Sequence, residues 1–527
     1  MNKYVIPALL GATALAVPAG AQSMPGTNMP GMTMPAPKAK AKKTAKPVRK
    51  VVKRKASKAK LPLHAGHKAQ PAPSPVPAPM TMPMPVPAPP TSAPTPAGQT
   101  DHGAMDMGGM AMPPMAPSGS PAPAPMAGMD HSGHSMAGME DDDGYQAQMS
   151  GSRINTFSEG SGTSRLPGTE TMHGRHIMAG DWMVMLHGTA SLQYTDVSGP
   201  RGDSKTYVTS MAMVTGEKET GWGRIQLKSM SSLEPAMSHD GYPNLFATGE
   251  TAYGQPLVDR QHPHDLFMEL AARVDVNVWN GSLYLYGGPV GEPALGPSAF
   301  MHRASASNNP EPPITHHWFD STHITYGVVT VGYSAPKFQI EASAFRGQEP
   351  DERRWNIETP KLDSWSVRAT YNPTANWAIQ ASYGQLKQPE ANHPGENEHR
   401  FTASAHYAKG GFSAMAGFSA KKRVPGETLT AWLGEANWNV DSHNSLFGRI
   451  ENVNNDELLP DPLSPLHDQP FRVTKFQAGY ARHLPVGPFD LALGGSLSAY
   501  AKPAALDPYY GNNPIGYTLF MRVSLGH

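Results

Sequence analysis

The chain has 527 residues, with 43 Lys and Arg balanced by 43 Asp and Glu, and it contains no cysteine. Zero net charge argues against a general nucleic-acid binder, and the lack of thiols excludes a disulfide framework, a zinc ribbon and thiol catalysis. The 54 prolines crowd the first third while nearly all aromatics lie beyond residue 150, so the ordered part is expected to span about 350 residues.

In chain order, Lys3 precedes the apolar run Val5 to Val17 and then Ala19-Gly20-Ala21, the layout of a cleavable secretory signal over residues 1–21. That run falls short of the roughly 20 residues of a membrane span, so the protein is expected to be exported. Residues 22–100 are rich in Lys, Pro, Ala and Met. They carry too little apolar bulk to offset their ordering entropy and are expected to be disordered. The basic block from Lys38 to Lys60 contains no acid. After export its available partners are lipid phosphates, anionic cell-wall polymers or the chain's own acidic cluster Glu140 to Asp143, with a self-repelling solvated spacer as the plain reading, and the block is left unassigned.

Residues 101–150 are the chemically loaded stretch. His102, Met105, Met107, Met110, Met112, Met115, Met126, Met129, His131, His134, Met136 and Met139 stand among Gly, Ala, Pro, Ser and acids. Thioether sulfur is a soft ligand suited to Cu(I), and imidazole suits Cu(II), Zn(II) and Ni(II). Of the 30 methionines, 17 lie between residues 24 and 149. A segment without a core gains nothing from methionine's adaptable packing, so this concentration points to a metal-capturing strip with copper as its bound cargo. Residues 151–180 read as a linker.

From residue 181 onward, short runs alternate apolar and polar residues and stop at Gly, Asn, Asp or Pro, the strand and hairpin signal. Trp365, Val367, Ala369 and Tyr371 alternate with Ser364, Ser366, Arg368 and Thr370, and the pattern recurs at Trp377, Ile379, Ala381 and Tyr383. Strands are expected to start near Met183, Lys205, Gly223, Leu266, Ser282, His323, Lys337, Asp363, Asn376, Arg400, Gly411, Leu429, Ser445, Arg472, Phe489 and Gly516. Long regular runs with aromatics at the ends of their apolar face, behind an export signal, predict an all-β, antiparallel outer-membrane-type barrel of about 12–16 strands over residues 181–527.

Two stretches are too long for hairpin turns, Ser232 to His264 and Gly288 to Asp320. Loops of that length are usually functional, and on a barrel they are extracellular loops or inward plugs. The first ends in His262-Pro263-His264-Asp265 and the second in His316-His317-Trp318-Phe319-Asp320. His262, His264, Asp265, His316 and His317 therefore form a candidate metal or ion site, with purely structural histidines as the plainer reading. His-x-His-Asp also occurs in metal-dependent hydrolases, but no activating base stands out, so no catalytic residue is assigned.

An export signal, a Met/His-rich strip carrying Met129-Asp130-His131-Ser132, and an all-β barrel together resemble the copper-resistance outer-membrane protein B family. The resemblance rests on architecture and on residues 101–139. The block from Tyr242-Pro243-Asn244-Leu245-Phe246 to His264-Asp265-Leu266-Phe267-Met268-Glu269-Leu270 is similar to one in uncharacterised exported proteins of metal-resistance systems. The family likeness implies a non-enzymatic outer-membrane barrel whose periplasmic tail gathers copper for sequestration, resistance or export, with periplasmic copper proteins as partners. The alternatives are a general solute porin whose tail is only a spacer, and a secreted metal-dependent hydrolase.

Overall fold

The structure is a computed structural model, and it describes residues 156–170 and 174–525. The expected signal, the low-complexity region and the Met/His strip lie outside the described residues.

Two short strands, β1 (Phe157–Glu159) and β2 (Arg165–Pro167), pair as a hairpin. β3 (Arg175–Ala179) turns back onto β4 (Trp182–Val197) and extends its edge. The wall continues through β5 (Ser204–Thr220) and β6 (Gly223–Ser231). The next connection holds four minor strands: β7 (Tyr242–Pro243), β8 (Glu250–Ala252), β9 (Gln255–Leu257) and β10 (Arg260–Gln261). The wall then resumes with β11 (Phe267–Val278), β12 (Gly281–Gly291), β13 (Thr325–Ser334), β14 (Phe338–Phe345), β15 (Ser364–Tyr371) and β16 (Trp377–Leu386). It is completed by β17 (Asn397–Lys409), β18 (Phe412–Val424), β19 (Thr428–Asn439), β20 (Asn444–Asn455), β21 (Phe471–Val486), β22 (Phe489–Ala501) and β23 (Ile515–Leu525).

Sixteen of these strands, β4 to β6 and β11 to β23, close into one antiparallel barrel. The seam is a ladder from Gly516 opposite Val197 to Leu525 opposite Gly188. Closure pairs every wall strand on both sides, which removes the sheet edges that neither lipid nor water should meet. Each expected strand start falls within three residues of an observed one, and the count settles at the top of the expected range.

Alternation sorts the side chains. Along β16 every second residue is exposed, and the exposed set includes Trp377, Ile379 and Tyr383 while Gln380 and Ser382 are buried in the lumen. The outer surface repeats this with Leu283, Leu285, Val329, Val331, Ile340 and Val367. Five neighbouring strands carry two outward aromatics six residues apart, namely Trp365/Tyr371, Trp377/Tyr383, Phe401/Tyr407, Phe412/Phe418 and Trp432/Trp438. At strand rise that separates them by about 20 Å along each strand. The members meet laterally in two rows: Trp377 and Tyr407 have ring centroids 4.8 Å apart in one, and Phe418 and Trp432 4.6 Å apart in the other. Two aromatic rows bounding an apolar band are what a membrane-embedded barrel presents to its two interfaces.

The two rims differ. One has only short turns, such as 221–222, 279–280, 410–411 and 487–488, and the other has the long connections 232–266, 292–324 and 346–363. These long connections fold inward, and ion pairs, both from loop to wall and between wall strands, fill the lumen. Arg303 reaches Glu435 on β19 (2.7 Å), Lys475 on β21 reaches Glu311 (3.0 Å) and Arg368 on β15 meets Glu341 on β14 (2.8 Å).

The expectation that residues 151–180 form a bare linker needs correcting for its described part. The β1–β2 hairpin sits inside the barrel, where Thr163 bonds Glu341, Lys228 donates to the Gly162 carbonyl (2.8 Å), and Arg165 donates to Gln339 (3.1 Å). Both ends of this segment reach the short-turn rim, through Thr156 to the Pro336 carbonyl and the Thr169 amide to the Ala375 carbonyl. Small side chains let the hairpin tip approach the loops: Ser161 N lies 3.0 Å from Ser298 Oγ. β3, also within the expected linker, belongs to the sheet.

Candidate functional site: a buried histidine cluster in the lumen

Loops 232–266 and 292–324 bring five histidines together. His316 and His317 open a one-turn helix, His316–Phe319, and His323 follows it. His262 and His264 flank Pro263, whose fixed φ holds the two rings apart. Ring centroids are 6.1 Å apart for His262 and His264, 6.1 Å for His262 and His316, 5.9 Å for His262 and His317, and 5.4 Å for His264 and His323. His316 lies 5.4 Å from His317 and 4.9 Å from His323. All five are buried.

Four of the rings are oriented through Nδ1. His264 Nδ1 meets Glu234 Oε2 at 2.8 Å and His316 Nδ1 meets Asp320 Oδ1 at 2.8 Å; His323 Nδ1 lies 2.7 Å from the Asp320 carbonyl, and His262 Nδ1 lies 3.1 Å from the Pro263 carbonyl. The Nε2 atoms of His262, His264 and His323 are buried with no hydrogen-bond partner. An imidazole tied at one nitrogen and open at the other is the arrangement metal-ligating histidines adopt.

One subset has ligand spacing. A ligand-capable atom from each of Glu250, His262 and His317 lies within 4.8 Å of the other two. Glu250 Oε2 is fixed by Arg354 (2.9 Å), which leaves Oε1 facing His262 Nε2 at 3.3 Å. His317 Nδ1 is 3.4 Å from Glu349 Oε2, an ion-pair distance without hydrogen-bond alignment. Backbone shape makes room for this ring. Gly249 has φ +108°, and a Cβ there would stand 2.6 Å from His317 Cγ and Nδ1, so only glycine allows the approach.

Protonation differs across the cluster. Burial, reinforced by the Arg354 charge, holds His262 well below its ordinary value, and burial together with His316 does the same for His323. Burial also pulls on His317, but the Glu349 carboxylate outweighs it and raises the group to about 9. His264 ends above its ordinary value because Glu234 outweighs burial. Burial raises Glu250 to about 7 despite Arg354. Two imidazoles and one carboxylate form a donor set for borderline divalent ions such as Zn(II), Cu(II) and Ni(II).

Of the five residues expected from the sequence, the four histidines converge and Asp265 does not join them. Its Oδ1 accepts from Tyr326 (2.9 Å) and its Oδ2 from Arg354 (3.1 Å), so both oxygens are committed. Sequence reasoning missed Glu250, Glu234, Glu349 and His323. Only His323 left a signal, standing three residues beyond Asp320. The strip residues His102 to Met139 lie outside the described residues.

No protein-family model matches the chain, and no curated protein matches it. Among solved structures it is similar to Salmonella typhi OmpF in complex with daunomycin, at 10% identity over 67% of this chain and 100% of that one, with a TM-score of 0.44. It is also similar to Pseudomonas putida OprB, at 10% identity over 65% and 94% with a TM-score of 0.42, and to an anion-selective porin from Comamonas acidovorans, at 12% identity over 65% and 100% with a TM-score of 0.40. At this level the similarity assigns neither cargo nor partner.

Proposed function

We propose that this chain is an outer-membrane barrel that handles transition-metal ions, binding a divalent ion at Glu250, His262 and His317 inside a lumen narrowed by its own loops. The observation that carries this reading is the convergence of three buried ligand-capable atoms, one each from Glu250, His262 and His317, with His262 Nε2 making no aligned hydrogen bond. Burying an unpaired polar atom costs about 1–3 kcal/mol, a cost that a bound ion would remove. The Met/His strip is the supply side, with copper as its cargo. Barrels of this type turn their short connections to the periplasm, and Thr156, where the described chain begins, lies at the short-turn rim. This supports a periplasmic attachment for the strip and a role in copper sequestration, resistance or export.

A second reading, a solute porin whose strip is only a spacer, draws support from the polar lumen and from a cavity of about 520 Å³ along the wall. One experiment separates the two. The detergent-purified full-length protein is titrated with Zn(II) and Cu(II) beside the double variant His262→Ala, His317→Ala, and cells are tested for copper tolerance with the strip's methionines changed to leucine. Metal handling requires the lumen variant to lose a divalent site and the leucine variant to lose tolerance. A porin requires neither loss, and shows sugar-permeable vesicles.

A further inference from the structure

The lumen wall is polar almost everywhere, with one sector built from methionine. Six methionines are buried among the described residues, and five of them, Met185, Met211, Met213, Met230 and Met268, form one cluster on the adjacent strands β4, β5, β6 and β11. Register lines them up: His187 stands opposite Met213, Met213 opposite Met230, and Met230 opposite Glu269. Directly opposed residues share a sheet face, so this row points into the lumen. Met301, from loop 292–324, packs against it.

Adaptable filling is the ordinary use of buried methionine. Here, however, three of the methionine side chains line open space. Met211, Met268 and Met301 line the 520 Å³ cavity together with His187 and His264. The far end of that cavity is lined by Asp441 in the β19–β20 turn and by Asp490, Ser524 and Leu525, all at the short-turn rim. His264, which lines this cavity, is fixed through Nδ1 by Glu234, and its Nε2 is buried without a hydrogen-bond partner. His302, the neighbour of Met301, likewise has both ring nitrogens buried and unpaired.

We propose that Met211, Met268 and Met301, with His264 Nε2, form a second metal site in the barrel, selective for a soft monovalent ion such as Cu(I) or Ag(I) and reached along the wall cavity from the short-turn rim. Thioethers with one imidazole suit that class of ion and disfavour Zn(II). The site is distinct from the harder donor set of Glu250, His262 and His317. The proposal rests on the metal-handling reading for its biological meaning, but not for its chemistry.

The test uses the full-length protein in detergent, with Ag(I) as a redox-inert probe. Three variants are compared: the strip variant, with all 17 methionines between residues 24 and 149 changed to leucine, a variant with Met211, Met268 and Met301 changed to leucine, and both sets combined. Met and Leu have similar volumes, so the barrel should tolerate the exchange, which circular dichroism and heat-modified electrophoretic mobility check. The strip variant is expected to keep one Ag(I) site that the combined variant loses, with Zn(II) binding unchanged in both. Silver-edge X-ray absorption of the strip variant should show sulfur neighbours. Equal Ag(I) binding by the strip and combined variants, or a silver ion with only nitrogen and oxygen neighbours, would overturn the site. If the site is found while copper tolerance is indifferent to every variant, the metal-handling reading fails and the site stands.

Discussion

Replacing Arg303 with methionine should unpin the inward loop 292–324. The Arg303 guanidinium is fully buried and donates to Glu435 Oε1 (2.7 Å), the Ser298 carbonyl (2.9 Å) and Asp320 Oδ2 (3.3 Å). It therefore joins the two halves of loop 292–324 to each other and to β19. Methionine fills much of the volume but leaves the Glu435 and Asp320 carboxylates short of a partner, although Arg449 still reaches Glu435 at 3.1 Å. Removing one member of a buried pair costs about 3–5 kcal/mol. Because β19 is held on both sides by the wall, the loss should fall on the loop, shifting its seated-to-unseated ratio by roughly two to nearly four orders of magnitude. Single-channel recording in planar bilayers is the assay: the wild type should show small conductance, and Arg303→Met larger or flickering openings. Arg303→Lys should fall between, since one ammonium cannot serve three acceptors in fork geometry. Unchanged conductance in Arg303→Met, with thermal stability within about 1 kcal/mol of wild type, would refute the claim that this residue pins the loop.

Three further outcomes are expected. Gly249→Ala should displace the His317 ring and abolish the divalent site in a zinc titration while the barrel still folds, because its Cβ would stand 2.6 Å from that ring. Leu285→Arg, at the middle of the outer face of β12, should lower folding stability in lipid vesicles by about 2–4 kcal/mol. A neutral result would mean that this surface does not meet hydrocarbon. In the long-loop region, burial pulls His393 down but its hydrogen bond to Glu457 (2.8 Å) outweighs that, so its pKa ends above 6.5. A histidine raised in the folded state stabilises fully below its unfolded value and loses that contribution as pH rises through the folded value. His393→Gln should therefore cost stability at pH 6 and much less at pH 9, as read from urea unfolding in vesicles.

The wall was legible because a two-sided barrel writes its structure into period-2 alternation. Every outward Trp365, Ile379 or Leu493 must face lipid, and every inward Ser, Gln or Arg must face polar company, so one residue of slip would invert a whole strand. The lumen was less legible. Phe157–Glu159 and Arg165–Pro167 are three-residue strands with no period of their own, and their fit depends on the distant Glu341, Gln339 and Ser298. Four site histidines could be named because they cluster in sequence near Pro263 and Trp318. Glu250 could not, since it stands alone beside Gly249 and gains its role only where Arg354 turns one of its oxygens aside. Asp265 looked like a ligand by adjacency to His264, but the Arg354 and Tyr326 that occupy it lie 89 and 61 residues away. Met211, Met213 and Met230 read as ordinary strand residues, and only the register across β5 and β6 gathers them.

The β1–β2 hairpin lies ahead of β4 in the chain and inside the cylinder that β4 begins, while β23 at the other end supplies the last seam. Wall and filling therefore come from one chain, the filling hairpin standing ahead of the first wall strand. The β23–β4 seam completes the wall that surrounds the hairpin, and Thr156 lies at the short-turn rim. The finished object has two unlike ends: its stopper is held within the vessel, and Thr156 marks the end at which that stopper is tied to the rim.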